Sequence, residues 1–103
     1  MRSNVKNSGI KTTQDFFILR IGPELHTYAA DRIFCKLIKA FRANRIFLLD
    51  FCRTQIIGEL GAGVLASRLR QNRQLLDNIR FLNLSMKGIR LFQLFGIYST
   101  GSG

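Results

Sequence analysis

Four places along the chain carry residue types that could do chemistry. Gly58, Gly61 and Gly63 follow an apolar run and open a helical pattern, where backbone amides can cradle a phosphate. The stretch lacks the Lys-Ser/Thr of a P-loop, its glycine spacing is not the dinucleotide fingerprint, and Glu59 would repel phosphate. These glycines are therefore read as turn and close-packing residues. His26, the single histidine, lies near Glu24 with no Ser or Cys beside it in sequence, and reads as an exposed turn residue. Asp50 ends an apolar run, where α/β folds place active residues, but the six acids are too few and scattered for a carboxylate pair. Cys35 and Cys52 form no CxxC and cannot build a metal site with one histidine. They are expected as free, buried thiols in a reducing compartment. The sequence thus predicts no catalytic residue, no metal, no cofactor and no small-molecule substrate.

The elements that must position these residues can be read from periodicity. Phe16-Phe17-Ile18-Leu19-Arg20-Ile21 is a β-favouring run stopped by Gly22-Pro23. From Thr27, the expected N-cap, Ala30, Ile33, Phe34, Leu37, Ile38 and Phe41 recur at helical spacing. Arg32, Lys36 and Lys39 fall on the other face. Ile46-Phe47-Leu48-Leu49-Asp50-Phe51 is almost uninterruptedly apolar, which predicts a parallel strand in a sheet covered on both faces. Gln55-Ile56-Ile57 reads as a short continuation, and a second helix is expected from Glu59 or Leu60 to Asn72. Ile79-Arg80-Phe81-Leu82-Asn83-Leu84 is a third strand. Ser85 caps a last helix that Gly96 ends. The predicted class is α/β: a small, mixed, mostly parallel sheet flanked by helices in βαβαβα order. Residues 15–98 form the single domain, 1–14 a polar extension able to add a strand, and 99–103 a flexible tail.

At 103 residues the chain suits one core, and a hydrophobic fraction of 47% excludes a disordered protein. No apolar run approaches the ~18 residues of a membrane span, and no secretory signal follows the basic start. The cytoplasm is the expected location. The start at Arg2, Lys6 and Lys11, free of acids, also suits an organelle matrix. Sixteen Lys and Arg against six acids give a net charge of +10, which favours an anionic partner.

From Phe17 to about Ile97 the chain resembles a STAS domain. Leu19-Arg20-Ile21-Gly22-Pro23-Glu24-Leu25 is similar to the family's strand and following turn. Leu48-Leu49-Asp50-Phe51, continued by Ile56-Ile57-Gly58-Glu59-Leu60-Gly61-Ala62-Gly63-Val64-Leu65, is similar to its strand, loop and helix start. Ile79 to Leu84, with the closing helix, completes the likeness. The resemblance implies a structural role for Asp50 and a partner-binding surface at the start of the second helix. Phosphoregulated members carry Asp-Ser-Ser-Gly or Asp-Thr-Gly-Gly there, with a hydroxyl that a kinase modifies. This chain has Gly58-Glu59-Leu60-Gly61 instead. Glu59 would then be a permanent anion, favoured at a helix N-terminus by the helix dipole.

Two non-enzymatic readings follow. If Ala62, Leu65 and Leu69 face the sheet, Leu60 and Val64 point roughly 100–140° away from it. Gly58, Glu59, Leu60, Gly61, Val64 and Arg68 are then the expected partner-binding residues of a regulatory or adaptor subunit. Its partner would be an ATPase, a kinase-like regulator or a transporter component, with membrane contact only indirect through such a complex. Alternatively Arg32, Lys36, Lys39, Arg42 and Arg45 contact RNA phosphates in a basic ribonucleoprotein subunit, ribosomal or organellar.

Overall fold

The computed structural model describes residues 14–99. The elements are β1 (Asp15–Arg20), β2 (Glu24–Leu25), α1 (Thr27–Ala40), β3 (Arg45–Asp50), β4 (Ile56–Ile57), α2 (Glu59–Arg70), α3 (Arg73–Asp77), β5 (Ile79–Leu82) and α4 (Met86–Leu94). Among the described residues, β1, β3 and β5 form one sheet in the order β1-β3-β5, with both pairings parallel. Strands β2 and β4 pair in parallel as a separate ribbon, Glu24 opposite Ile56 and Leu25 opposite Ile57. The α/β class and the largely parallel pairing agree with the sequence reading. The extension at 1–14 and the tail at 99–103 lie, apart from Gln14 and Ser99, outside the described residues.

Strand alternation assigns the two sheet faces. Phe17, Leu19, Phe47, Leu49, Ile79 and Phe81 point to the helices, and Phe47 and Leu49 are fully buried. On the other face, Phe16 is 56% and Ile18 60% exposed, while Ile46 and Leu48 are half-buried and outside the core. Among the described residues the helices pack on the first face, and the second carries these exposed and half-buried side chains.

Between the sheet and the helices, Leu25, Leu37, Leu65, Leu69 and Phe92 are completely buried. Each such side chain contributes about 1.5–3 kcal/mol through burial. Phe51, Phe81 and Phe92 meet in tilted and edge-on pairs with centroids 5.1–6.2 Å apart.

Local details depart from the sequence reading in instructive ways. Helix α1 is capped by His26, not Thr27: its backbone is extended, and its Nδ1 accepts the Ala29 N–H at 3.1 Å. Helix α2 stops at Arg70 instead of Asn72, because Asn72 has left helical geometry and its amide donates to the Arg68 carbonyl at 2.9 Å. The short α3 follows. Cys35 and Cys52 are free as expected, yet both are exposed. At α4 the expected Ser85 cap forms, its Oγ accepting the Gly88 N–H at 3.1 Å.

The start of α2 is set by an unusually close approach. Gly61 is buried, and a Cβ there would press into the Leu25 carbonyl oxygen and lie 2.7 Å from the His26 carbonyl carbon. The obstacle is backbone, which cannot rotate aside. Gly63, two residues on, would place its Cβ 3.8 Å from the Phe95 ring, an ordinary contact. Gly61→Ala should therefore cost about 2 kcal/mol or more, whereas Gly63→Ala should be neutral or stabilising by up to about 1 kcal/mol. Urea unfolding of the two variants beside the parent protein checks this.

Candidate functional site

The carboxyl ends of the parallel strands and the loops that leave them form one edge of the molecule, the usual site region of such sheets. Asp50, at the end of β3, ties this edge together. Its Oδ1 accepts the Cys52 backbone N–H at 3.0 Å and the Asn83 side-chain amide at 2.9 Å. Its Oδ2 accepts the Cys52 thiol at 3.5 Å and lies 3.9 Å from Arg20 Nε. Asn83 holds a left-handed backbone, φ 59°, to make this reach after β5. The donation from Asn83 does most to hold the Asp50 carboxyl below its ordinary range, followed by the Cys52 N–H; partial burial opposes them, and the Cys52 thiol and Arg20 add smaller pulls. A carboxylate so occupied is a structural tie.

The loop from β3 to β4 is fastened to the turn after β1. Thr54 Oγ1 donates to the Gly22 carbonyl at 2.8 Å, and the Gln55 and Ile56 amides both donate to the Pro23 carbonyl. The Gly58 N–H donates to the Leu25 carbonyl at 3.1 Å, and α2 begins at the next residue. Its inner face carries Gly61, Ala62, Leu65, Ala66 and Leu69, all buried. This matches the orientation expected from the sequence.

Its outer face borders a groove of about 540 Å³ lined by Glu59, Leu60, Gly63, Val64, Ser67, Arg68 and Phe95. Of the expected partner-binding residues, Glu59, Leu60, Val64 and Arg68 meet here. Leu60 is 79% exposed, while Val64 is half-buried and leans on the core. Gly58 and Gly61 lie outside the groove lining and serve the junction with β2. Arg68 is anchored: its guanidinium pairs with Asp31 of α1 at 2.9 Å and sits 5.8 Å from the Phe34 ring centre. Gly63 and Ser67 continue the helical row of Leu60 and could have been read from spacing. Phe95 comes from the end of α4, a tertiary neighbour without a local signal.

The basic set is dispersed. Arg32 and Lys36 border a cleft between α1 and β1, whereas Lys39 and Arg42 stand exposed at the far end of α1. Arg45 is turned inward, its Nε donating to Asp15 at 2.8 Å and a second nitrogen to the Ala40 carbonyl at 2.8 Å. It closes the β1–β3 pairing, so its charge is already engaged. Among the described residues no group of His, Cys, Asp and Glu could hold a metal ion. No helix there is long and apolar enough to cross a membrane.

A family model for the STAS domain matches residues 7–100 of the chain. The protein belongs to the STAS domain family. No curated protein and no solved structure matches it. STAS domains are generally regulatory, without catalytic activity of their own, and commonly mediate protein–protein interaction. Within this STAS domain the α2 groove has an apolar centre of Leu60, Val64 and Phe95 with Glu59 and Arg68 at its rim.

The Asp50 tie has a pH signature. Because its carboxyl is lowered in the folded state, the stabilisation is present above the unfolded value of about 4 and is lost as pH falls through the folded value. Asp50→Asn should remove this increment. Thermal unfolding from neutral to strongly acid pH should show a fall in stability below about pH 4 that is steeper in the parent protein than in the variant.

Proposed function

We propose that this STAS domain is a regulatory or adaptor subunit that docks on a larger protein through the outer face of α2 and has no phosphoswitch. The observation that carries the reading is Leu60, almost fully exposed beside Val64 and Phe95 on a helix whose inner face is fully packed. An exposed leucine over an apolar groove, with Glu59 and Arg68 at the rim, suits burial against a partner. Glu59 supplies a fixed negative charge in the first turn of α2, at the position that a phosphorylatable hydroxyl occupies in switched relatives. Docking would then be constitutive and non-catalytic, with no cofactor. The partner would be an ATPase, a kinase-like regulator or a transporter component in the cytoplasm.

A second reading rests on charge. Lys36, Lys39 and Arg42 take part in no ion pair shown among the described residues, and a net +10 exceeds what solubility needs. Contact with RNA phosphates would use them, in the cytoplasm or in an organelle matrix.

Capture of partners by the tagged protein, with and without nuclease, separates the two. A nuclease-resistant complex that Leu60→Asp weakens by about thirtyfold or more is the expected result. Leu60 is the clean probe because it contributes nothing to the core, unlike Val64. Retention of the complex by the variant would remove the α2 assignment, and loss of all partners on nuclease treatment would favour RNA. Regulated phosphorylation at Thr54 or Ser67, seen by mass spectrometry, would contradict unswitched docking.

A further inference from the structure

The second face of the β1-β3-β5 sheet carries side chains that neither the core nor the α2 groove uses. Strand register fixes which residues meet there. Phe16 lies opposite Ile46, Ile18 opposite Leu48, and Arg20 opposite Asp50. On the far side of β3, Leu48 lies opposite Arg80 and Asp50 opposite Leu82. Alternation turns all of these to one side of the sheet. Phe16 and Ile18 are more than half exposed, Leu82 is 37% exposed, and Ile46 and Leu48 fill the space between them. A sheet face that meets only water ordinarily presents polar residues. A contiguous apolar centre across three strands is the mark of an interaction surface.

The free charges on this face have one sign. Arg20 and Arg80 are both exposed. Asp50 is the acid among them, and its carboxylate already accepts from Cys52 and Asn83 and lies 3.9 Å from Arg20. Asp15, at the start of β1, turns to the other side and is held by Arg45 at 2.8 Å. One guanidinium nitrogen of Arg80 donates to the Asp77 and Ile79 carbonyls, both at 3.0 Å, which holds the side chain at the β5 edge. Arg80 enters no ion pair shown among the described residues.

Charge and apolarity together select the occupant. A second copy would bring a further net charge of +10 against the first. RNA offers phosphates but no counterpart for an aliphatic centre. An anionic bilayer offers both, because apolar side chains can enter the acyl boundary while long arginine stems carry their charge back to the headgroups.

We propose that this sheet face lies against an anionic lipid surface, with Phe16, Ile18 and Leu82 at the acyl boundary and Arg20 and Arg80 on the headgroup phosphates. The contact is peripheral, since no helix among the described residues is long and apolar enough to cross a membrane. It is independent of docking through α2, which belongs to the helical layer on the first face. It adds a direct membrane contact to the indirect one expected through a complex.

The test is co-sedimentation of the full chain with vesicles of phosphatidylcholine alone or with about 30% phosphatidylglycerol. Binding to the anionic vesicles should be about tenfold or more tighter and should fall as salt rises. Phe16→Ser with Ile18→Ser should weaken it by about tenfold or more, and Arg80→Gln by about fivefold. Leu60→Asp should bind vesicles as the parent protein does. These side chains are exposed, so unchanged circular dichroism is expected to show intact folding. The chain has no tryptophan, so Phe16→Trp gives a reporter on the face itself. Its emission should shift to the blue with anionic vesicles and be quenched by brominated lipid. Equal binding to both vesicle types, a reporter that vesicles leave unchanged, or binding that Phe16→Ser with Ile18→Ser does not weaken would overturn the proposal. A reporter that shifts with a polyuridine RNA and not with vesicles would assign the face to RNA. A dimer in light scattering that the double variant dissolves would assign it to a second copy; either result also overturns the proposal.

Discussion

The start of α2 rests on the backbone of Leu25 and His26 with no side chain between them, and much of the molecule is arranged around that approach. It is possible only because residue 61 lacks a Cβ. The contact fixes the helix against the ribbon of β2 and β4, a ribbon of two residue pairs too short to hold itself. It also brings α2 alongside the helix that His26 caps, so Asp31 and Arg68 can pair across the two. With Gly61, Ala62 and Leu65 committed inward, helical geometry leaves Leu60 in solvent.

A different device organises the strand ends. Asp50 joins the close of β3 to Asn83 beyond β5 and to Arg20 at the end of β1, so one carboxylate spans all three strands of the described sheet. Thr54 and Pro23 then bind the neighbouring loops to one another. Binding surfaces on loops need such a frame, since an unanchored loop loses conformational freedom whenever it engages a ligand. Here hydrogen bonds within the domain have already imposed that order.

The parts of this arrangement that were legible from sequence are those written in local spacing. The stripe of Ala30, Ile33 and Leu37 announced α1, and Ala62, Leu65 and Leu69 gave both the existence of α2 and the side it buries. The glycines of its first turns were read as close-packing residues, which holds for Gly61. What was not legible depends on partners distant in sequence or on atoms that composition does not orient. No periodicity can mark a strand as short as β2, and the continuation expected at Gln55-Ile56-Ile57 is β4, paired with β2 in a separate ribbon. The cap passed from Thr27 to His26 because an imidazole nitrogen happened to point at the Ala29 amide. The break after α2 turned on the side chain of Asn72. The nearly uninterrupted apolar run of β3 could not say what would lie on each of its faces. Arg20 meets Arg32 and Lys36 only through the turn at Gly22-Pro23, and Phe95 reaches the α2 groove only through the packing of α4.

Leu60 and Gly61 are neighbours in the chain, yet they stand about 100° apart around the helix and answer to different masters. Position 61 is bound by the fold, since any side chain there meets backbone. Position 60 touches so little of the domain that its identity is almost free of stability constraints. Copies of such a gene could drift at the exposed positions 60 and 67 while remaining foldable at every step. In a domain this small, that separation lets diversification proceed one residue at a time without compensating changes in the core.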